Sequence, residues 1–265
     1  MRKICFFTLT SVLCSLAIGA DNRAACRDLP GHAAVKAALS AVVAGGANGG
    51  LGFHMWGTVV NRDGETCAVV FTGANRHAQW PGSRVISAQK ANAANAFSLT
   101  GFALSTANLF SAVQPGGSLY GLQQSNPVDA KAAYGGNSDL YGQSNDPMVG
   151  QKVGGINVFG GGLGLYKPDG TLIGGLGVSG DTSCTDHIIA WKVRKALNLD
   201  NVPAGVAGGA PGTDNLIHDI APDAHGHPAS AGGFGHPTCL NLPGKGVEAT
   251  IIPALPTTHP VGPTP

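Results

Sequence analysis

The chain has 265 residues and a net charge of +1, with charged side chains at only 12%. This balance excludes an electrostatic case for binding nucleic acid or an anionic membrane surface. The 41 glycines and 17 prolines show no collagen-like period, so they indicate a tightly turned, loop-rich backbone around a core for which 43% hydrophobic residues are sufficient.

The N-terminal residues have the features of a secretory signal peptide. Arg2 and Lys3 form a positive region, residues 4–18 are apolar, and residues 17–19 offer a small-residue cleavage site. The apolar run is too short to span a bilayer as a helix, and no later run is long enough. The sequence therefore predicts a signal peptide over residues 1–19, a periplasmic or secreted protein, and no membrane anchor.

Export changes the meaning of the cysteines. Removal of the signal peptide leaves four of them, an even number in an oxidising compartment: Cys26, Cys67, Cys184 and Cys239. Four cysteines allow three pairings. We favour Cys26–Cys67 and Cys184–Cys239, which would join each end of the chain to the nearest core element. A metal site is the weaker alternative, because no Cys-x-x-Cys or Cys/His ligand spacing is present.

The first half of the mature chain predicts a helix, a hairpin and a second helix. Residues 30–44 are amphipathic and stop at a glycine pair. Residues 53–61 and 66–72 are β-branched and apolar around an Asp-Gly turn, as expected for a β-hairpin. Ser83 is placed to cap a second helix, whose small alanine face lets another element approach closely.

Residues 114–150 differ in composition from the rest of the chain. They are rich in glycine, proline, asparagine and serine, have little periodicity, and include Tyr120, Tyr134 and Tyr141. A stretch of this length is uncommon inside a compact domain and is usually functional or forms an interface. Since aromatic residues are enriched at interfaces, we expect a homo-oligomer held in part by this segment.

A second hairpin and a helix follow. Residues 154–166 and 171–180 flank a Pro-Asp-Gly turn and are studded with glycine, as if a ligand or another chain approached the backbone. Asp181 or Ser183 is expected to cap the next helix, with Asp186 as the capping-box partner. Two such hairpins build one central antiparallel sheet of four to five strands flanked by helices, an α+β fold.

The last part of the chain, residues 201–265, is a Gly/Pro/His-rich tail without periodic segments. His225 and His227 within it could bind a transition metal, but the surrounding proline and glycine predict no rigid geometry. No catalytic signature is present: residues 160–162 resemble a phosphate loop only superficially, because they lack a following Lys-Ser/Thr and open no helix.

Histidines are the best candidates for a binding site. His187 lies in the first turn of its predicted helix, and Trp191 and Arg194 follow at spacings that place them on the same face. This face could seat a flat anionic macrocycle, with His187 as a metal ligand and Arg194 paired with a propionate. The alternative is that Asp186 and His187 only cap the helix. His54, on the first hairpin, is a second candidate ligand.

Several segments carry a resemblance to a known family. They read V-G-G-I-N-V-F-G-G-G-L at 153–163, P-D-G at 168–170 and G-G-L-G-V-S-G-D at 174–181, together with N-R-D-G at 61–64 and S-A-Q-K-A at 87–91. The pattern resembles the GlcG/HbpS haem-binding family.

The resemblance implies one domain over residues 26–200, a central antiparallel sheet with helices on both sides, and dimers or larger rings. It also implies haem or iron binding. An insertion at about 111–150 and the tail after residue 200 depart from the family pattern, and no haem-ligand position can be carried over from the family.

Three functions remain open on the sequence. The first is an exported protein that binds, handles or senses haem or another iron tetrapyrrole. The second is a non-enzymatic accessory or structural subunit of a periplasmic complex, which docks through the insertion onto a protein partner. The third, an enzyme acting on a small metabolite, is disfavoured because no acid/base pair is visible.

Overall fold

The computed structural model of the protein describes residues 25–208, 213–240, 248–256 and 258, and the signal peptide predicted over residues 1–19 lies outside them. Four strands form an antiparallel sheet in the order β2-β1-β4-β3: β1 (Trp56–Asn61), β2 (Thr66–Phe71), β3 (Gly162–Tyr166) and β4 (Leu172–Ser179). Three longer helices cover the sheet: α1 (His32–Ala44), α2 (Ser83–Phe97) and α5 (Ser183–Ala196). Smaller elements complete the fold: α3 (Leu122–Ser125), α4 (Ala130–Tyr134), β5 (Ile220–Pro222), β6 (Pro228–Ser230) and α6 (Glu248–Ile251). The predicted α+β class is confirmed.

The sheet consists of the two predicted hairpins placed side by side. Strand β1 pairs with β2 and also with β4, from Trp56 opposite Ser179 to Asn61 opposite Gly174. Strand β3 is shorter than the sequence suggested, because residues 154–161 include three glycines with positive φ that interrupt extended backbone. Among the described helices, none is long and apolar enough to cross a membrane.

Glycines in β4 explain how tightly helix α2 packs on the sheet. A Cβ atom at Gly175 would collide with the Ala91 carbonyl oxygen, and one at Gly177 with the Ser87 carbonyl oxygen. The close approach expected at these glycines is therefore real, but its partner is a helix of the same chain. The face of helix α2 that packs on the sheet consists of small residues, which permit this close contact: Ala88, Ala91 and Ala94 are fully buried.

Two predicted helix caps are wrong. Gly82 occupies the N-cap of α2, and Ser83 is already the first helical residue. The cap of α5 is Thr182, whose hydroxyl accepts a hydrogen bond from the backbone of Thr185 at 3.2 Å. Asp181 is not the cap. Its carboxylate instead accepts hydrogen bonds from the backbone N–H groups of Leu51 and Phe53, in the loop before β1.

The insertion is folded rather than structureless. It contains α3, α4 and two 3-10 turns, and it packs on Trp56, Phe71 and the neighbouring residues of β1, β2 and α2. Its anchor is a buried ion pair between Arg84 of α2 and Asp146, in which Nε donates to Oδ2 at 2.9 Å. The Arg84 guanidinium also stacks on Tyr141, 3.6 Å from the ring centroid.

The C-terminal segment also differs from the expected tail. Strands β5 and β6 form a hairpin, and Leu216, Ile252 and Leu255 join the core that surrounds α5. The apolar residues responsible are widely and irregularly spaced, so they give no periodic signal in the sequence.

Both disulfides have the favoured pairing. Cys26 is bonded to Cys67, with Cα atoms 5.6 Å apart, and Cys184 to Cys239, with Cα atoms 6.0 Å apart. The first ties the start of the described chain to β2. The second ties the C-terminal segment to the first turn of α5.

Candidate functional site

The three α5 side chains predicted to share a face do so. The rings of His187 and Trp191 lie 6.0 Å apart, and the guanidinium carbon of Arg194 lies 4.8 Å from the Trp191 ring centroid. The helical spacing therefore placed an imidazole, an indole and a guanidinium together, as the sequence indicated.

This face of α5 is covered by the C-terminal segment. Arg194 donates to both carboxylate oxygens of Asp214, at 2.6 and 2.8 Å, and the Trp191 indole donates to the Pro256 carbonyl at 2.8 Å. His187 is fully buried. A propionate partner for Arg194 and a metal on His187 would both require this segment to move away, so the roles predicted for these residues stay predictions.

Burial makes His187 electrostatically unusual. Neither ring nitrogen makes a hydrogen bond; the Asn215 side chain lies close enough to favour protonation but does not reach hydrogen-bond geometry. Loss of solvent lowers the pKa of His187 to about 3, with Arg194 and His236 acting in the same direction and Asp214 against it. The ring is therefore neutral at physiological pH.

His54 lies apart from these contacts. It is exposed, precedes β1, and its Nδ1 is 3.1 Å from the Thr72 hydroxyl rather than bonded to α5. Its role as a ligand also stays a prediction.

A buried ion pair joins α2 to α5 near the centre of the molecule. Lys90 Nζ lies 2.7 Å from Asp186 Oδ2 and 3.2 Å from the Val178 carbonyl, while Asp186 Oδ1 accepts the Asp181 backbone N–H at 2.9 Å. Burial lowers the pKa of Lys90 and raises that of Asp186 to about 6. Sequence reasoning treated Asp186 as a capping residue and missed Lys90, although a lysine on an alanine-rich helix face was a usable signal.

Cys184, His236 and Cys239 bring their ligating atoms within 4.8 Å of one another. The two sulfurs are bonded to each other, so they are not available as thiolate ligands in this state. His236 is buried, its Nδ1 lies 2.7 Å from the Pro237 carbonyl, and its ring is 5.2 Å from that of Phe110. Burial lowers the pKa of His236 to about 4. The cluster braces the C-terminal segment against α5.

A cleft of about 950 Å³ opens between residues 110–118 and the β5–β6 hairpin. This volume is of the size that holds small-molecule ligands and cofactors. Apolar side chains supply much of its wall, namely Phe110, Ala112, Pro115, Ile220, Pro228, Ala229 and Pro237. His227 is the one histidine among its lining residues, although the surrounding proline and glycine predict no rigid geometry there.

Comparisons with known proteins identify the domain. Residues 31–195 match the model of a family described as haem degrading protein, HbpS-like. No curated protein matches the chain significantly. Similar solved structures include a PduOC–haem complex, with 24% identity, a TM-score of 0.44, and coverage of 63% of this chain and 91% of that one.

Two further structures are similar at the same coverage of this chain. The Klebsiella pneumoniae protein ORFY has 26% identity and a TM-score of 0.43, with 63% of this chain and 90% of that one covered. A double mutant of Streptomyces reticuli HbpS has 18% identity and a TM-score of 0.37, with 63% of this chain and 86% of that one covered.

The match to the family model spans all four strands of the central sheet together with α2 and α5. The chain therefore belongs to the HbpS-like family of haem-degrading proteins.

Proposed function

We propose that this protein binds haem or a closely related iron tetrapyrrole. The observation that carries the proposal is the family match over residues 31–195, which covers the whole central sheet and its helices. The protein also offers the two things that such a ligand needs: an apolar cleft large enough for a macrocycle, and imidazole side chains able to bind iron.

Titration of the purified protein with haemin tests the proposal. We expect a saturable Soret band at a simple stoichiometry per chain, because a defined site fixes the environment of the iron. The disulfide-intact protein should be compared with the same protein unfolded in urea, which reports non-specific association of haemin with apolar chain. Absorbance that rises without saturation, or equally in both samples, would contradict haem binding.

We further propose that the protein acts outside the cytoplasm, in the periplasm or secreted. Two disulfides support this location, because such bonds form and persist in oxidising compartments. Fractionation of cells that express the full chain, followed by labelling of the unreduced protein with a thiol reagent, tests it. Protein in the cytoplasmic fraction with reactive thiols would contradict it.

A second candidate function is that of a structural subunit which forms the expected homo-oligomer through the insertion. The favouring observation is that Tyr120 and Tyr134 are 68% and 63% exposed, and aromatic side chains are enriched at protein interfaces. Light scattering should then report a homo-oligomer, and Tyr120→Ser with Tyr134→Ser should reduce its mass. A monomer at micromolar concentration would contradict assembly through this surface.

A further inference from the structure

We infer that haem enters the cleft between residues 110–118 and the β5–β6 hairpin, and that His227 is its axial ligand. The inference rests on the proposed haem binding and names the site. The hairpin lies outside the residues that match the family, which end at residue 195. The cleft is thus a feature that this chain adds to the family domain.

The turn that carries His227 is well defined by hydrogen bonds. Asp223 Oδ1 accepts the backbone N–H groups of His225 at 2.8 Å and of His227 at 2.9 Å. The Asp223 N–H in turn donates to the His227 carbonyl at 2.8 Å, and Gly226 takes the positive φ of 82° that closes the turn. A ligand residue held on such a turn loses little conformational freedom when it binds iron.

The Asp223 carboxylate also lies near the imidazole. Its Oδ2 lies 3.8 Å from His227 Nδ1, so Nε2 is the nitrogen directed away from the carboxylate. A carboxylate near one ring nitrogen favours the tautomer with the proton there and leaves the lone pair on the other. Histidines that bind metals in proteins commonly donate the other ring N–H to a carboxylate, and Asp223 lies near His227 Nδ1 without being hydrogen-bonded to it.

The walls of the cleft are joined to each other. The Ser111 hydroxyl donates to the Gly235 carbonyl at 2.6 Å, which links the first wall to the end of the hairpin. On the hairpin side, the Asp219 carboxylate accepts the Ser230 hydroxyl and the Gly232 N–H, both at 2.8 Å. The cleft is therefore a preformed space between tied segments, in contrast to the α5 face, which is closed by the ion pair of Arg194 and Asp214.

Charge fixes how a tetrapyrrole would lie. The residues that line the cleft include no lysine or arginine, and their one carboxylate, Asp223, is engaged in the turn. The apolar macrocycle would therefore lie against the inner walls, and its propionates would point to water at the mouth. His227 is itself 78% exposed in its side chain, which places the iron site where haem can reach it.

Spectra of two histidine variants test the inference, with His225→Ala as the matched control. His225 lies two residues from His227 on the same turn but does not line the cleft. We expect His227→Ala to shift the Soret band and to weaken haemin binding on the order of tenfold or more, and added imidazole to restore the band. His225→Ala should bind as the wild type does. Circular dichroism should be unchanged in both.

A second variant tests the cleft independently of the ligand. Ala229→Trp adds an indole to the wall of the cleft and leaves both histidines in the chain, so it should weaken binding of both haemin and metal-free protoporphyrin. Unchanged binding in His227→Ala and in Ala229→Trp would overturn the inference and leave the proposed function intact. Loss of the band in His187→Ala alone would assign the iron to the α5 face instead. A wild-type protein that does not bind haemin would contradict the proposed function itself.

Discussion

Burial of His187 beneath the C-terminal segment should make the stability of the protein depend on pH in a way that one substitution isolates. The pKa of His187 is lowered from 6.5 to about 3 in the folded state. Because the unfolded chain binds the proton more tightly, stability from this group is fully present above about pH 6.5 and is lost as the pH falls towards 3. This pKa difference corresponds to a loss of stability of about 3 kcal/mol at about pH 4.5, and of about 5 kcal/mol once the pH is well below about 3.

Other buried groups also change their protonation in this range. His236, with its pKa lowered to about 4, acts in the same direction as His187. Asp186 acts in the opposite direction: its pKa is raised from 3.8 to about 6, so its ionisation costs stability as the pH rises through that window. The quantity that isolates His187 is therefore the difference in the free energy of unfolding between the wild type and a variant that lacks only the His187 ring.

His187→Leu is the variant of choice, since leucine is apolar and neither ring nitrogen of His187 has a hydrogen-bond partner to lose. Urea unfolding from pH 7.5 to 4.5 should show the free-energy difference moving in favour of leucine by about 3 kcal/mol at the acid end. The control is His77→Leu, at an exposed position. The free energy of unfolding of this variant, plotted against pH, should run parallel to that of the wild type. A parallel curve for His187→Leu as well would refute the burial of this ring.

Three other perturbations have expected outcomes that unfolding and structural measurements can check. Replacement of Cys184 and Cys239 by serine should lower the free energy of unfolding by about 4 kcal/mol, since their bond closes a loop of 55 residues, and an unchanged urea midpoint would contradict this. Gly177→Ala should destabilise the protein by roughly 1–3 kcal/mol or more, because the alanine Cβ would overlap the backbone of α2. A variant as stable as the wild type would show that the contact between β4 and α2 is looser than in this structure. Lys90→Met should lower the free energy of unfolding by about 3–5 kcal/mol, because it leaves Asp186 buried without its cation. The additional change Asp186→Leu should recover part of that loss. A double variant that recovers none of it would indicate that packing, not charge, sets the cost.

Local patterns in the sequence were sufficient for the central sheet. Strands β1 and β2 were recognisable from β-branched residues around an Asp-Gly turn, and β4 from an apolar run after a second such turn. The order of hairpin and helix in both halves then predicted a single sheet, and β1 does pair with β4. These features depend on residues within a few positions of one another, where backbone preferences act directly.

The surroundings of the site depend on contacts that no local pattern shows. Asp214 pairs with Arg194 from 20 positions away, and Pro256 accepts from Trp191 across 65 positions. Neither partner stands in a periodic segment, so the burial of the α5 face could not be foreseen from the helix itself. The turn of His227 could not be foreseen for a different reason: glycine and proline in the sequence predict no rigid geometry, whereas Gly226 and the Asp223 carboxylate build a closed turn.

The position of iron in crystals of the haemin-bound protein is the most direct test of haem binding in the cleft. Anomalous scattering at the iron edge locates the metal without any assumption about its ligand. We expect one iron peak beside Nε2 of His227, inside the cleft, with the ion pair of Arg194 and Asp214 still formed. An iron peak beside His187, with the C-terminal segment displaced from α5, would contradict it.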